Sequence, residues 1–490
     1  MTLVGGLLWA LCFGRETLPL ASWLALAPLV LLLARRWSWA LGWLHGLIYW
    51  LVAIPWIRPT LETYGGLPTW LASVSLLLLC LYLGAYHGLF ALLGAPLWRR
   101  GGVVAITGLP ALWVALEWLR AHLFSGFPWN LAAYAWTEVA GALPIAAWIG
   151  AYGVSFLLLV ANVGTAVAVT RRSRLPGVAA VLACLLALAI GARWGDGSRS
   201  AGGVADGGGA AGSPVRLLQP NTENQVTWDP VAAQESYRRI FDLSHRACDE
   251  AGALLVWPES AAWPYSWGTS GHLRRDLEAL AESGCTVLFN STDQRREGYY
   301  NSVLLLGREG VAGRYDKRHL VPFGEYVPLA RVFFFLEKIA RNAGAYVAGS
   351  DVTPLEWGGE RLGPAVCFEV VFPAEVAEQV RAGATVLVTV TNDAWYGDSS
   401  APWQHFRAVR FRAAETRRPF LRAALTGISA VVEADGSVRR LLGVGEEGLI
   451  RTRIRGRTGL SPYARRPSLV PAGASILALF AIFLARRRGP

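Results

Sequence analysis

The sequence has very little lysine, methionine or charge. Lys317 and Lys338 are the two lysines among 46 Lys and Arg residues, one methionine is present, and charged residues make up 17% of the 490 positions. Hydrophobic residues make up 53%, and 22 residues are tryptophan. So apolar a chain is not an ordinary soluble enzyme, and its length allows a membrane part together with a complete soluble domain. Because arginine supplies almost every other positive charge, each lysine is informative.

Cysteine is scarce as well. Six cysteines are scattered along the chain, and three of them, Cys12, Cys80 and Cys184, lie inside apolar segments. They form no CxxC pair and no cluster with histidine. This pattern predicts neither a zinc site nor a disulfide framework.

The net charge of +11 raises the question of nucleic acid. The basic clusters lie at the ends of apolar segments, however, where they mark the cytoplasmic face of membrane helices. We therefore expect no nucleic-acid partner.

Seven apolar stretches precede residue 195, and an eighth lies near the C terminus. Most approach the ~20 residues that cross a bilayer core, although the first two are short and could form a hairpin. A signal peptide is the alternative for the first stretch, but no basic residue precedes it and no clear cleavage site follows it. The stretches are about 3–14, 18–34, 37–57, 69–95, 103–124, 143–170, 175–194 and 468–485.

Arginines cluster on alternate connections between these stretches. Since basic residues accumulate on the cytoplasmic side, eight crossings place both termini in the cytoplasm and the long segment 195–466 on the periplasmic side. The arginines are Arg35 and Arg36, Arg99 and Arg100, Arg171, Arg172 and Arg174, and Arg486 to Arg488.

These features divide the chain into four parts. Residues 1–194 are predicted to form a transmembrane domain of seven helices, and residues 195–213, rich in Gly, Ala and Ser, a flexible tether. Residues 214–466 are predicted to form a soluble periplasmic domain. Residues 467–490 are predicted to form the last transmembrane helix and a cytoplasmic basic tail.

The soluble segment alternates between apolar strands and helices. Strands that are apolar nearly throughout belong to a sheet covered by helices on one face and by a second sheet on the other, so an α/β domain is predicted. The predicted strands are VRLLQPN, ALLVWPE, TVLFNSTD, YNSVLLLG, AVCFEV, TVLVTVTND and FLRAAL, the predicted helices lie near 230–250, 271–283 and 402–418, and a final hairpin turns at Asp435-Gly436.

The run RLGPAVCFEVVFP carries Cys367 and, two residues later, Glu369. Its glycine and prolines bound a short apolar run, which predicts a strand that ends in a bend and presents a thiol. A thiolate can accept an acyl group and pass it on, but it needs a base and a group that holds the oxyanion. A small buried structural cysteine is the alternative.

Two other strand ends supply candidate partners for this thiol. Glu259 follows a buried strand and a proline, where partly apolar surroundings raise the proton affinity of a general base. Lys317 lies in GRYDKRHLVPFGEYVP, a stretch without helical or strand period that also holds Glu325. A lysine there could steady an oxyanion. The alternatives are a capping or ion-paired carboxylate and an exposed lysine.

The fifth connection, LEWLRAHLFSGFPWNLAAYAW, holds charges and tryptophans near the membrane surface. Its tryptophans Trp118, Trp129 and Trp136 are typical of an interfacial belt. Glu117 and Arg120 lie one helical turn apart, so they could pair with each other. A role in holding lipid headgroups is the alternative.

Three of these stretches, WPES, YDKRHLVPFGEYVP and GPAVCFEVVFP, resemble in their order and spacing the Glu-Lys-Cys triad of the nitrilase superfamily. With LEWLR…FSGFPW, LQPNTENQVTWDP, TNDAWYGDSSAPWQHF and the eight apolar segments, nearly the whole chain resembles the apolipoprotein N-acyltransferases of bacterial inner membranes. The resemblance implies a polytopic α-helical membrane domain of about eight transmembrane helices and a nitrilase-like α-β-β-α sandwich.

The resemblance also implies roles for individual residues. It assigns Glu259 as base, Lys317 as transition-state stabiliser and Cys367 as nucleophile. The chain departs from the family at Phe368, where the family has tyrosine, and so lacks a hydroxyl there. The supporting positions are Glu325, Phe368 and Glu369, with the backbone N–H of Phe368 as an oxyanion donor, and the lipid-path positions are Trp228, Glu117, Arg120 and Trp129.

The reaction implied is a two-step acyl transfer without metal or organic cofactor. A phospholipid gives its acyl chain to the thiol, and the α-amino group of a diacylated apolipoprotein then takes it. A monomer in the bilayer is expected. A membrane-tethered amidase or nitrilase, and a transporter or scaffold that only binds, are the rival hypotheses.

Overall fold

The computed structural model describes residues 1–202, 212–222, 229–326 and 346–487 of the chain. The N-terminal part is helical, and a two-sheet α/β part follows it. A last apolar helix returns to the first part. The helices of the N-terminal part are α1 (Thr2–Leu11), α2 (Pro19–Ser22), α3 (Ala27–Leu32), α4 (Ser38–Ala53), α5 (Ile57–Thr63), α6 (Thr69–Arg100), α7 (Gly102–Arg120), α8 (Ala142–Thr170) and α9 (Leu175–Gly202).

The sequence predicts eight membrane crossings, but fewer of the described helices are long enough to cross a membrane. In the described chain, five helices meet the length and composition of a span, and α4 with α5, bent by 53°, makes a sixth if it is one span. The first two apolar stretches form the short helices α1 to α3, because Pro19 and Pro28 each restart a helix. The five are Thr69–Arg100, Gly102–Arg120, Ala142–Thr170, Leu175–Trp194 and Leu469–Arg487.

A buried asparagine satisfies the broken backbone between α2 and α3. The side-chain oxygen of Asn162 in α8 accepts hydrogen bonds from the backbone N–H of Leu26 (2.9 Å) and Ala27 (3.1 Å). Its amide donates to the carbonyl of Ser22 at 3.0 Å. In an apolar environment unpaired backbone groups are costly, so this side chain allows the chain to bend inside the helical part.

The α/β part contains two six-stranded sheets. The strands are β1 (Ser213–Gln219), β2 (Leu254–Val256), β3 (Thr286–Arg295), β4 (Gly298–Gly307), β5 (Gly310–Asp316), β6 (Leu355–Trp357), β7 (Glu360–Val366), β8 (Val386–Thr391), β9 (Phe420–Ala424), β10 (Ser429–Val432), β11 (Val438–Leu442) and β12 (Gly448–Ile454). The first sheet has the order β12-β1-β2-β3-β4-β5 and the second β11-β10-β9-β8-β7-β6. Strands β1 to β3 pair in parallel, as do β7 to β9.

The two sheets pack face to face, and helices cover both outer faces. Side chains such as Leu217, Leu288 and Val388 form the core between the sheets. Outside the first sheet lie α10 (Pro230–Ala247) and α11 (Gly271–Glu282), and outside the second lie α12 (Pro373–Arg381) and α13 (Ala401–Thr416). This is the predicted α-β-β-α sandwich. The short α14 (Pro462–Arg465) and the apolar α15 (Leu469–Arg487) follow it.

Helix α13 joins the second sheet to the membrane helices. The side-chain amide of Gln404 donates to the carbonyls of Phe13 (3.0 Å) and Ala53 (2.9 Å). Near the other end, Arg412 and Glu415 form a fully buried ion pair at 2.6 Å. Glu415 also accepts from the backbone N–H of Ala151, which follows the break in α8 at Gly150. Polar and charged residues along α13 are therefore buried, so the helix lacks a clear division into an apolar and a polar face.

Five elements after residue 213 were absent from the sequence prediction: β5, β6, β12, α12 and the short α14. The three strands lie at sheet edges and are short or rich in glycine and arginine, so they lack the apolar run on which the prediction depends. The predicted strand AVCFEV ends at Val366. The hairpin turn at Asp435-Gly436 is confirmed, since Glu433 N donates to Ser437 O at 2.8 Å.

Two further predictions are corrected. Helix α9 continues to Gly202, so it extends into the stretch predicted as a tether. A disulfide joins Cys248, which follows α10, to Cys285, which precedes β3. No sequence spacing signals this pair, because 37 positions separate two cysteines that only the sheet brings to a Cα–Cα distance of 5.8 Å.

Candidate active site

Cys367 lies at a strained bend where β7 ends. The strand stops at Val366, and residues Cys367–Val371 form a 3₁₀ turn. The φ angle of Cys367 is +50°, a left-handed conformation that disfavours a side chain and persists only where surrounding contacts hold it. The predicted strand and bend are therefore present, and the bend places Cys367 at the carboxyl end of β7.

A buried histidine holds this bend. Nε2 of His405 in α13 lies 3.0 Å from the carbonyl oxygen of Cys367, and since a carbonyl only accepts, Nε2 carries the proton. Nδ1 lies 3.2 Å from Oδ1 of Asp393 and 3.3 Å from Nη2 of Arg422. Burial lowers the pKa of His405, so the ring is neutral and Nδ1 accepts from the guanidinium.

The same network fixes the charge of Asp393. Burial alone would raise the pKa of this carboxyl, but the charge of Arg422, 2.6 Å away, lowers it to about 2. Sequence reasoning singled out none of these three residues. The only signal was the quoted stretch TNDAWYGDSSAPWQHF, which holds Asp393 and His405 but gives no hint that they meet the carbonyl of Cys367.

Glu259 follows β2 and the Trp257-Pro258 pair, as predicted. Its Oε2 accepts from the backbone N–H of Asn392 at 3.0 Å, and its Oε1 accepts from the side-chain amide of Asn301 at 3.1 Å. The residue is 6% exposed. Burial raises the pKa of Glu259 above the usual carboxylate value, although the charge of Lys317 opposes that rise. Such a carboxylate suits a general base.

Lys317 directly follows β5. The first four residues of the stretch predicted to be irregular, 313–316, therefore belong to this strand, and the loop begins at Lys317. Its Nζ lies 3.0 Å from the carboxylate of Glu325 and 3.8 Å from Oε1 of Glu259, and the residue is 2% exposed. Burial would lower the pKa of Lys317, but these two carboxylates raise it. The ammonium therefore stays charged beside the base.

Asn301 is a site residue that sequence reasoning missed. The NH₂ group of its side chain donates to Oε1 of Glu259 and, at 2.7 Å, to Oε1 of Glu325, so it bridges the two carboxylates. The backbone carbonyl oxygen of Asn301 accepts from the backbone N–H of Lys317 at 2.8 Å. It lies on β4, where it interrupts a run of large apolar residues. One asparagine within YYNSVLLLG was the available signal.

Glu369 ties the bend to the loop that carries Lys317. Its Oε2 accepts from the backbone N–H of Val366 at 2.6 Å, and its Oε1 accepts from the backbone N–H of Arg318 (2.7 Å) and His319 (3.1 Å) and from the hydroxyl of Tyr315 (2.9 Å). Because both oxygens of Glu369 accept hydrogen bonds, its side chain is an ionised carboxylate that has no proton to transfer. Its hydrogen bonds hold the bend before Cys367 and the loop after Lys317 together, and the supporting role expected for it stays a prediction.

The thiol of Cys367 is neutral at rest. Burial raises its pKa, the negative charge of Glu259 raises it further, and the charge of Lys317 opposes this rise. The residue is 7% exposed. A neutral thiol beside a carboxylate and an ammonium becomes a nucleophile when the carboxylate removes its proton.

The loop between α7 and α8 places an aromatic side chain against the residue after the nucleophile. The Trp129 and Phe368 rings are nearly parallel, at 18°, with centroids 6.4 Å apart. Nε1 of Trp129 donates to Oε1 of Gln404 at 2.7 Å. Trp129 is 2% exposed, and Trp136 is also buried, so neither belongs to the interfacial belt that the sequence predicts.

Glu117 and Arg120, at the end of α7, hold this loop by hydrogen bonds to its backbone. Nη1 of Arg120 donates to the carbonyls of Phe127 and Trp129, both at 2.7 Å, and Oε1 of Glu117 accepts from the backbone N–H of Ala132 at 2.7 Å. The predicted ion pair between them is not formed within 4.0 Å in the described part of the chain. Both are buried, and their predicted place on a lipid path stays a prediction. Trp228, the other lipid-path residue, lies outside the described residues.

Metal chemistry has no candidate ligands here. Across the residues that the structure describes, no group of three or more His, Cys, Asp and Glu side chains could hold a metal ion. That no cofactor takes part stays a prediction.

Two paired sheets between helices, with a buried Glu-Lys-Cys site at the strand ends, define a carbon-nitrogen hydrolase domain, here joined to a helical membrane part. Residues 215–463 match the carbon-nitrogen hydrolase family, and residues 5–164 match the apolipoprotein N-acyltransferase N-terminal domain. A carbon-nitrogen hydrolase superfamily protein from Xanthomonas campestris, 20% identical, aligns over 52% of this chain and 96% of its own with a TM-score of 0.38.

Curated relatives extend the likeness to the full length. The apolipoprotein N-acyltransferase of Geobacter metallireducens is 36% identical, with 98% of this chain and 94% of the relative covered. That of Methylococcus capsulatus is 33% identical, with 100% and 96% covered. This chain belongs to the apolipoprotein N-acyltransferase family and is an acyltransferase of the membrane. The resemblance seen in the sequence is confirmed.

Proposed function

We propose that this chain moves an acyl chain from a phospholipid to the α-amino group of a diacylglyceryl-cysteine on a lipoprotein, through a thioester on Cys367. The observation that carries the proposal is the position of the Glu259–Lys317–Cys367 site. It lies where the second sheet meets the membrane helices, with Trp129 of the helical part packed on Phe368. A soluble amidase needs no such junction.

In the first step Glu259 removes the proton of the Cys367 thiol, and the sulfur attacks the ester carbonyl of the phospholipid. Lys317, held by Glu325 at 3.0 Å, stabilises the oxyanion that forms. The lysophospholipid oxygen then leaves and takes the proton from Glu259. A thioester remains on Cys367.

In the second step the free amine of the lipoprotein attacks this thioester. Glu259 accepts a proton from the attacking nitrogen, the sulfur leaves, and the proton returns to the thiol. An amide bond forms and a thioester bond breaks. The raised pKa of Glu259 serves both steps, because this carboxylate must take up a proton and release it in each step.

Exposed apolar side chains on the loops beside the site support an acyl substrate. Phe124, which is 74% exposed, and Leu123 lie on the loop after α7, and Gly126 of that loop approaches the ring of Phe372. Trp263 and Trp395 are exposed on loops that follow Glu259 and Asp393. Withdrawing an acyl chain from the bilayer costs about 0.8 kcal/mol per CH₂, and apolar side chains at the entrance to the site lower that cost.

The proposed location is the bacterial inner membrane, with the catalytic domain in the periplasm, both termini in the cytoplasm and a monomer as the working unit. The alternation of arginine clusters supports the orientation. The Cys248–Cys285 disulfide supports an oxidising compartment for the catalytic domain.

The test is the mass of Cys367 after the full-length protein is incubated with phospholipid alone. We expect a shift equal to one acyl chain, its loss on adding a diacylated lipopeptide, and no shift in Cys367→Ala. A thioester that water hydrolyses as fast as the lipopeptide removes it would instead support the tethered hydrolase.

A further inference from the structure

A cluster of arginines lies at the end of the second sheet opposite to the active site. The backbone of Ala384 and Thr385 forms its centre. Thr385 N donates to the carbonyl of Arg361 at 2.8 Å, and Arg457 N donates to the carbonyl of Thr385 at 3.0 Å. Nε of Arg418 donates to the carbonyl of Ala384 at 2.8 Å. The main chains of Arg361 and Arg457 and the side chain of Arg418 thus meet around two residues, and the guanidinium of Arg361 lies against the neighbouring Gly383.

Their positive charges are not balanced. In the described part of the chain, none of Arg361, Arg418 and Arg457 has an acidic partner within 4.0 Å. The neighbouring carboxylate, Glu360, already accepts from the backbone N–H of Gly456 (2.8 Å) and the hydroxyl of Thr385 (2.7 Å). Burial, and after it the charges of Arg457 and Arg361, lower the pKa of Arg418 to about 10, as expected for cations held close together.

More arginines extend this cluster toward the membrane helices. Nη1 of Arg381 donates to the carbonyl of Ala464 at 3.2 Å, and the guanidinium of Arg417 lies 6.0 Å from the ring centre of Trp148. Arg465 and Arg466 are exposed just before α15. We call the whole set the arginine patch: Arg361, Arg381, Arg417, Arg418, Arg457, Arg465 and Arg466.

The ends of three apolar helices place the patch at the membrane surface. The ring of Tyr463 in α14 lies against α8, where a Cβ on Gly150 would be 2.5 Å from it. The rings of Trp148 and Trp194, which ends the α9 span, lie 4.9 Å apart. The α15 span begins at Leu469. Tryptophans at the ends of spans mark the headgroup level of a bilayer.

We propose that the arginine patch binds the phosphate headgroup of an anionic phospholipid in the leaflet that faces the catalytic domain. A guanidinium donates two parallel hydrogen bonds to a phosphate, and basic residues beside a bilayer attract anionic lipids. Because the patch and Cys367 lie at opposite ends of β7, this lipid is not the acyl donor. It would hold the amino end of the second sheet against the membrane. The site does not depend on acyl transfer.

The test uses the full-length protein with Cys367→Ala, so that no lipid is consumed. Native mass spectrometry counts the lipids retained as phosphatidylglycerol or phosphatidylcholine is titrated in. The variant is Arg361→Gln/Arg457→Gln. The matched control is Arg238→Gln/Arg275→Gln, two exposed arginines on α10 and α11, the layer farthest from the membrane helices.

We expect the parent and the control to retain one phosphatidylglycerol that phosphatidylcholine does not replace. The Arg361→Gln/Arg457→Gln variant should retain it roughly 30-fold more weakly, since each arginine near an anionic surface contributes on the order of a factor of five. Raising the salt concentration should weaken retention in the parent. Equal retention of the two lipids by the parent, equal retention by variant and parent, or displacement by inorganic phosphate at millimolar concentration would overturn the proposal.

Discussion

The two ends of the second sheet treat charge in opposite ways. At the carboxyl ends of the parallel strands β7 and β8, Glu259, Lys317 and Asp393 are buried, and each lies beside an opposite charge within 4.0 Å. At the amino ends of the same strands, Arg361 and Arg457 have no acidic partner in the described chain. Buried charges that each lie beside an opposite charge suit chemistry on a neutral thiol, whereas a cluster of like charges at the surface suits the binding of an anion.

This contrast separates the consequences of mutation. Changes at the carboxyl ends should appear in the rate of acyl transfer, and changes at the amino ends in lipid retention or stability.

Replacing the nucleophile should give the largest effect. Cys367→Ser should lower acyl transfer on the order of 10⁴-fold or more, as should Cys367→Ala, because a buried hydroxyl is much harder to ionise than a thiol and Glu259 is a weak base for it. The rate is measured with phospholipid and a diacylated lipopeptide. Transfer by Cys367→Ser at a rate near that of the parent would contradict the thioester.

Replacing Lys317 by arginine keeps the charge but changes its reach and geometry. The contact with the oxyanion should be lost, which lowers kcat about 10²-fold or more. Lys338→Arg, the same change at the other lysine of the chain, is the control and should keep most of the activity. The reverse result would move the oxyanion role away from Lys317.

His405 should affect the rate by holding the bend rather than by touching substrate. His405→Leu removes the hydrogen bond to the carbonyl of Cys367, so kcat should fall about tenfold with KM little changed, whereas His405→Gln, which can still donate, should recover much of the loss. The alkylation rate of Cys367 by a small soluble reagent should follow kcat. Equal loss in both variants, together with a lower melting temperature, would show a purely structural role.

Asn301 should affect the pH dependence more than the maximal rate. Its amide stabilises the charged form of Glu259, so Asn301→Ala should raise the pKa of that base further above its usual value. A base must be deprotonated to act, so the acid limb of kcat/KM should move to higher pH, with activity near neutral pH falling several-fold. An unmoved acid limb would mean that another group sets it.

Sequence patterns predict the centre of this protein better than its edges. The strands β2, β3, β8 and β9 are apolar nearly throughout, which is a local property. Glu259 and Cys367 follow strands that this property reveals, whereas Lys317 follows the edge strand β5. Strands β5, β6 and β12 form sheet edges. Strands β5 and β6 pair with their sequence neighbours β4 and β7 but are short or rich in glycine and arginine, whereas β12 pairs with β1, far earlier in the chain, so no local pattern reveals it.

The missed site residues have the same cause. His405, Asp393 and Arg422 meet only because α13 crosses the ends of β8 and β9, and the cysteines of the disulfide meet only through β3. The burial of Trp129, expected at an interfacial belt, results from contact with α13, whose polar residues gave no amphipathic signal. Long-range contacts between ordinary residues decide these features.

The smallest effect on rate is expected at the amino end of the sheet, where Arg418 combines a buried position with carbonyl partners. Its Nε and Nη2 donate at 2.8 Å to the carbonyls of Ala384 and Gly459, which joins the start of β8 to the segment before α14. Arg418→Met fills a similar volume but leaves both carbonyls without a donor, so stability should fall by about 2 kcal/mol. Thermal unfolding of the full-length protein measures this loss. The kcat of the folded protein should change less than twofold, because no charge at the carboxyl ends depends on Arg418. A fall in kcat comparable to that of His405→Leu would show that the two ends of the sheet are coupled and that their separate treatment of charge does not separate their functions.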